Sequence, residues 1–166
     1  MATSPERAER DNPQAGADGV TRIVEVGAKP ETERQATAEA WLVSTPETIG
    51  ELIAGTRKGS PLETAKVAGM IGVKETPRLL PHCHPVRVTG ADVSVEPDTT
   101  TGRVHVVATV RAVDRTGVEM EALTAAAVAA LSLYDTAKAF DRSARIEGIR
   151  LLTKSGGKSG DFRADA

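Results

Sequence analysis

The sequence predicts an α+β fold, a ferredoxin-like antiparallel sheet with helices packed on one face. Three observations carry this. Alternating apolar and polar residues recur in four separated segments, at 36–42, 86–96, 103–113 and 145–153. Helix-start signals occupy the stretch between the first two, and one long alanine-rich segment separates the last two. The order strand, helices, hairpin, long helix, strand places the helices on one side of an antiparallel sheet. A chain of 166 residues is one domain's worth of length.

The first strand is read from Ala36, Ala38, Ala40 and Leu42, which alternate with Gln35, Thr37, Glu39 and Trp41. Thr45-Pro46 then opens a short helix that Gly55 closes, with Ile49, Leu52 and Ile53 apolar. Ser60 is the N-cap of the next helix, Pro61 fits its first turn, and Glu63 takes the reciprocal capping-box position. Val67, Met70 and Ile71 are expected as its buried stripe. Thr76-Pro77 repeats the start signal, which predicts a third, short helix ending before Pro81. Two strands over 86–96 and 103–113 follow, joined by a hairpin loop at Asp98-Thr99-Thr100-Thr101-Gly102. Residues 117–140 form the longest helix candidate, and 145–153 the last strand. Residues 1–20 have almost nothing to bury and read as a disordered tail. The folded domain is then 21–160, and 161–166 is a short C-terminal tail.

Composition excludes several classes. Net charge is −2, so no global basic field attracts nucleic acid. Only Trp41, Tyr134, Phe140 and Phe162 are aromatic, too few for a row of base-stacking rings, whereas alanine supplies 25 residues. The single Cys83 rules out an intrachain disulfide framework and fits a reducing compartment. The longest apolar run, near 125–131, is too short to cross a bilayer, and the N-terminus lacks an apolar signal segment. Together these point to the cytoplasm.

Four clusters could carry chemistry. Pro81-His82-Cys83-His84-Pro85 presents three coordinating side chains between two prolines. Adjacent residues in an extended segment point alternately, and His105 is the only other histidine, so a zinc set is not assembled. A substrate loop stiffened by proline fits better. Lys154-Ser155-Gly156-Gly157-Lys158-Ser159-Gly160 looks like a phosphate loop, but the glycine a Walker A motif requires is Leu152. Glycines and two lysines still suit an anion; a flexible linker is the competing reading. Arg57-Lys58-Gly59 places two cations beside the start of a capped helix. Finally, Glu121, Thr124, Asp135 and Lys138 fall within about 100° of one another on an ideal helix. Two carboxylates and an ammonium beside an apolar surface are expected to be partly desolvated, with pKa values displaced. The pattern is that of an enzyme acting on a phosphorylated small molecule.

These same segments carry a resemblance. Lys58-Gly59, Ala68-Gly69, the 81–85 loop, Thr116-Gly117-Val118-Glu119-Met120-Glu121-Ala122-Leu123-Thr124, Tyr134-Asp135 with Lys138-Ala139, and the 154–160 loop resemble, in order, the MoaC family of molybdenum cofactor biosynthesis. The likeness covers about 21–162. It implies a lyase of the cyclic pyranopterin monophosphate synthase type. Its substrate would be 3′,8-cyclo-7,8-dihydroguanosine 5′-triphosphate, made from GTP by a radical SAM partner. Its products would be cyclic pyranopterin monophosphate and diphosphate. It also implies Asp135, Lys58 and Lys138 as catalytic, with the two lysines dividing the acid and base roles. Substrate contacts would come from His82, Cys83, His84, Glu119, Met120, Glu121, Lys154 and Lys158. No metal site or cofactor is implied beyond Mg²⁺ that could accompany the triphosphate. The assembly would be a homo-hexamer, a trimer of dimers with sites between subunits. Against the family pattern, His82 replaces a usual Leu, Glu25 an Asp, and Lys66 an Arg whose bidentate fork is lost. The competing functional class is a regulatory module that binds a nucleotide without turnover.

Overall fold

The computed structural model describes residues 21–158 and 160–165, so the expected tail at 1–20 lies outside the described residues. Eight elements follow in order: β1 (Thr32–Val43), α1 (Pro46–Ala54), α2 (Pro61–Leu79), β2 (Val88–Asp98), β3 (Arg103–Asp114), α3 (Glu119–Ala137), β4 (Arg145–Ser155) and β5 (Phe162–Arg163). The sheet order is β2-β3-β1-β4-β5, every pair antiparallel. Its first four strands have the split βαβ order expected of the ferredoxin-like reading. Within the stretch read as a C-terminal tail, β5 pairs Phe162 with Lys154 and Arg163 with Thr153.

The helix starts follow the capping residues. Thr45 Oγ1 accepts from Thr48 N at 3.2 Å, and Ser60 Oγ accepts from Glu63 N at 3.3 Å. The reciprocal half of the capping box is replaced, because Glu63 pairs with Lys66 at 2.7 Å. Gly102, at φ 66°, closes the β2–β3 hairpin where a Cβ would strike the Ser44 carbonyl.

The core lies between one face of the sheet and the helices. Ala36, Ala38, Ala40 and Leu42 of β1 join Val104, Val106, Ala108 and Val110 of β3. Against them lie Ala122, Ala125, Ala126, Ala129 and Leu133 of α3. These small side chains let backbones come close. A Cβ on Gly69 would lie 3.1 Å from the Ala125 carbonyl oxygen, and one on Gly72 3.2 Å from that of Thr124.

That close approach overturns two expectations for α2. Its buried face is Pro61, Ala65, Gly69, Gly72, Val73 and Thr76. Val67, Met70 and Ile71, expected inside, are 57%, 41% and 55% exposed. The smallest residues face the neighbouring helix because backbone proximity, not side-chain bulk, makes this contact. The third helix does not exist as a separate element. Pro77 lies inside α2, which runs on to Leu79. Proline costs one intrahelical donor. The turn survives as Thr76 Oγ1 donates to the Gly72 carbonyl at 2.9 Å, and Leu80 N to the Thr76 carbonyl at 3.0 Å.

The opposite sheet face carries a polar network. Glu39, nearly buried, accepts from Arg150 Nε at 2.6 Å and bonds His105 Nε2 at 2.7 Å. His105 in turn stacks on Trp41 at 3.9 Å. Among the described residues, no helix is long and apolar enough to cross a membrane.

Candidate active site

The candidate residues gather at the two ends of α3. At its N-terminal end, a cavity of about 540 Å³ is lined by Lys29, Arg34, Arg115, Gly117, Glu119, Lys154, Gly156 and Lys158, among others. A second cavity, of about 410 Å³, is lined by Lys29, His82, Cys83, His84, Gly117, Glu119, Met120 and Glu121, with Val24, Val26, Val86 and Thr116. Shared lining residues make the two neighbouring lobes of one cleft. The fold therefore brings together all eight expected substrate contacts.

Each lobe has a local cause. Gly117 lies just before the helix, and any Cβ there would collide with the Glu119 carboxylate. Glu119 turns to Lys154, 3.3 Å away, so it joins the cleft from the first turn of α3. Gly156 has φ 87° and a Cβ would run into the Glu33 carbonyl, so the loop lies against the start of β1. Its N–H donates to Asp161 Oδ1 at 3.3 Å. Such a glycine-rich turn with convergent cations suits a phosphate chain. Glu25, the counterpart of the family's usual Asp, accepts from Gly27 N at 2.6 Å.

Glu121 differs from every other carboxylate in the cleft. Only 2% of it is exposed. Burial, reinforced by the Glu119 charge, pushes its pKa up to about 7. It is thus divided between acid and carboxylate at neutral pH, the condition a proton-transfer group needs. The Cys83 thiol is raised by burial and by the charges of Glu121 and Glu119, which keeps it protonated and weakly nucleophilic. Among the described residues, no three His, Cys, Asp or Glu side chains gather in a metal-binding set.

At the C-terminal end of α3, a cavity of about 500 Å³ is lined by Arg57, Lys58, Ser132, Asp135, Thr136 and Phe140, together with Thr56, Gly59, Pro61, Thr64 and Ala139. Asp135 pairs with Lys138 at 2.6 Å. That hydrogen bond and charge, with a smaller contribution from Lys58, hold the Asp135 carboxyl below its usual range, and the same contact raises Lys138. Lys138 lines an adjoining hollow with Tyr134, Ala139 and Arg142. The structure therefore joins Asp135, Lys58 and Lys138, but apart from the substrate contacts. At about 1.5 Å per residue, Asp135 lies about 24 Å along the helix from Glu119.

The expectation of one desolvated polar stripe along this helix is corrected accordingly. Glu121 is buried, whereas the side chains of Asp135 and Lys138 are 75% and 53% exposed. The stripe runs from a buried residue beside the 81–85 loop out to an exposed helix end. The sequence reading missed Lys29, Arg34 and Arg115. They come from separate places, the segment before β1, β1 itself and the residue just past β3, and no local motif marks them. Lys66, the other departure, lines none of these cavities and pairs with Glu63.

Comparison with known proteins accords with this geometry. The profile of the MoaC family matches residues 23–157. A Roseiflexus sp. (strain RS-1) protein named cyclic pyranopterin monophosphate synthase is 50% identical over 148 residues, covering 89% of this chain and 94% of its own. Proteins of the same name from Parvibaculum lavamentivorans and Deinococcus radiodurans are 49% and 48% identical. They span 88% of this chain, and 92% and 86% of their own lengths.

Proposed function

The chain belongs to the MoaC family, and from that membership we infer that it is an enzyme with the activity of these relatives, a cyclic pyranopterin monophosphate synthase of molybdenum cofactor biosynthesis. The observation that carries this is near-half identity to such synthases over almost nine tenths of the chain. We propose the finer assignments from the cleft. The substrate is 3′,8-cyclo-7,8-dihydroguanosine 5′-triphosphate, supplied by a radical SAM GTP cyclase, and the products are cyclic pyranopterin monophosphate and diphosphate.

The triphosphate lies in the lobe lined by Lys29, Arg34, Arg115, Lys154 and Lys158. The heterocycle lies against His82, Cys83, His84, Met120 and Glu121. Glu121 exchanges a proton with the rearranging ring. Lys58 and Lys138 divide acid and base work beside Asp135, which orients them and balances their charge. The steps are proton transfers and one phosphoryl displacement that forms the cyclic phosphate and expels diphosphate. No net oxidation occurs, so no redox cofactor is called for. Mg²⁺ bound to the triphosphate is part of the proposal.

Because the two groups of residues lie about 24 Å apart along one helix, one chain cannot apply both to one substrate. The proposed assembly is a cytoplasmic homo-hexamer, a trimer of dimers, with each site built across a subunit boundary. The test is direct. Purified protein given the cyclised GTP derivative and Mg²⁺ is expected to release diphosphate without a redox cofactor. Absence of release, where a Roseiflexus synthase turns the same substrate over, would refute the activity.

A further inference from the structure

Two segments that line the cleft meet at one carboxylate that the proposed reaction does not use. The ladder between β2 and β3 ends with Val88 against Ala112. Beyond it, Arg87 closes the stretch that holds His82, Cys83 and His84, and Asp114 is the last residue of β3. Both carboxylate oxygens of Asp114 are taken by main-chain amides. Oδ2 accepts from Arg87 N at 2.9 Å, and Oδ1 accepts from Arg115 N at 2.7 Å. The first amide leads out of the 81–85 loop. The second leads into Thr116 and Gly117, which line both lobes.

The same pair of residues reaches the phosphate lobe. The Asp114 main-chain carbonyl accepts from Arg34 Nε at 3.3 Å. Arg115 Nη1 donates to the Gly27 carbonyl at 2.8 Å and so holds the segment that carries Lys29. Three stretches distant in sequence, around 27–34, 82–87 and 114–117, are thereby joined through two consecutive residues. An ionised acceptor makes stronger bonds to N–H groups than a neutral one. Burial works to raise the Asp114 carboxyl, yet the amides of Arg87 and Arg115 hold it below its usual range. Glu31 also spans Arg87 and Arg115, at 2.6 and 3.9 Å, but its side chain is 44% exposed against 17% for Asp114. Water competes for the outer bridge, so the inner one sets the geometry.

We propose that Asp114 is a positioning residue of the cleft: by holding the Arg87 and Arg115 amides together, it fixes the loop that faces the heterocycle against the turn shared by the two lobes. This rests on the function proposed for the cleft and adds what keeps its two halves in register. A substrate that spans both lobes needs each at the right distance from the other. The carboxylate touches no proposed reacting atom, so its loss acts through His82, Cys83 and His84. Their contacts hold the ring in the ground state and the transition state alike. Weakening them raises KM more than it lowers kcat.

Cys83, the chain's single cysteine, reports on the loop directly. In place it is partly buried, and burial with the charges of Glu121 and Glu119 raises its pKa, so it alkylates slowly. Asp114→Asn keeps the size of the side chain but turns an amide N–H2 toward one of the two N–H groups. It is expected to speed iodoacetamide labelling of Cys83 by about five-fold or more. KM for the cyclised GTP derivative is expected to rise by about ten-fold, with kcat within about three-fold. Asp114→Ala removes both acceptors and is expected to do at least as much. Asp92→Asn is the control. It cuts a 2.6 Å pair with Arg111 across the same two strands, at residues that line neither lobe. Labelling and KM are expected to stay within about two-fold of wild type there. Labelling at the wild-type rate in both Asp114 variants, equal acceleration in Asp92→Asn, or faster labelling with KM unchanged would overturn the proposal. If wild-type protein itself released no diphosphate, the activity would fall, while the labelling rates alone still decided whether Asp114 holds the loop.

Discussion

The two ends of α3 hold carboxylates of similar intrinsic strength in opposite conditions. Glu121 is buried beside His82, Cys83 and His84 and titrates near neutrality, whereas Asp135 stands in water, paired with Lys138 and firmly ionised. The helix is the same; what differs is what covers it. Burial moves Glu121, and none of the described residues buries Asp135. Within the described residues the carboxylate is desolvated at one end of the helix and solvated at the other.

The sharpest way to break the comparison is Asp135→Asn. Turnover is expected to fall by about 100-fold or more, while the melting temperature stays within about 1–2 °C, because an exposed ion pair contributes little stability. Rapid-quench assay of diphosphate beside a thermal melt checks both. An equal loss of activity and stability would make Asp135 a structural residue.

Glu121 is expected to show the reverse coupling. Its folded pKa is raised above its unfolded value, so the folded state holds the proton more tightly. Its contribution to stability is therefore fully present below about pH 4.5 and is lost as pH rises through about 7. The shift is worth on the order of 3 kcal/mol. In Glu121→Gln that decline is expected to vanish, seen as parallel urea midpoints at pH 5 and 8. Turnover is expected to drop by about 100-fold.

A smaller effect probes the helix contact that holds both ends in place. Gly69→Val is expected to cost about 1–3 kcal/mol through overpacking against Ala125 and Val93, read as a lowered denaturation midpoint. The smallest is Lys66→Ala. Since Lys66 lines no cavity and its ion pair is exposed, KM is expected to stay within about two-fold and stability within about 0.5 kcal/mol.

The sequence made legible what local chemistry specifies. Thr45 and Ser60 announce their helices, Asp98 to Gly102 announces the hairpin, and alternation in β1 and β3 assigns the buried face residue by residue. It misled where tertiary contact outranks side-chain size. Val67, Met70 and Ile71 look like a core stripe, yet Gly69 and Gly72 hold the interior because they admit another backbone. Thr76-Pro77 looks like a start because the same residue pair opens α1. Only the surrounding turn, with Thr76 bonded to Gly72, shows that the helix runs through. The proposed catalytic and loop residues stood in recognisable runs. Lys29, Arg34 and Arg115 did not, because the pairing of β1 with β3 and the packing of the segment before β1 against Arg115 gather them.

The short β5 strand has a consequence for how the phosphate lobe works. With Phe162 on Lys154, Ala164 N on the Leu152 carbonyl at 2.8 Å, and the Asp165 carbonyl taking Arg150 Nη1 at 3.3 Å, the glycine-rich segment is fastened at both ends. A ligand entering that lobe meets a segment whose flanks are already held, so less conformational entropy remains to be lost on binding. The last few residues touch no proposed reacting atom, yet they set how readily the loop can hold one.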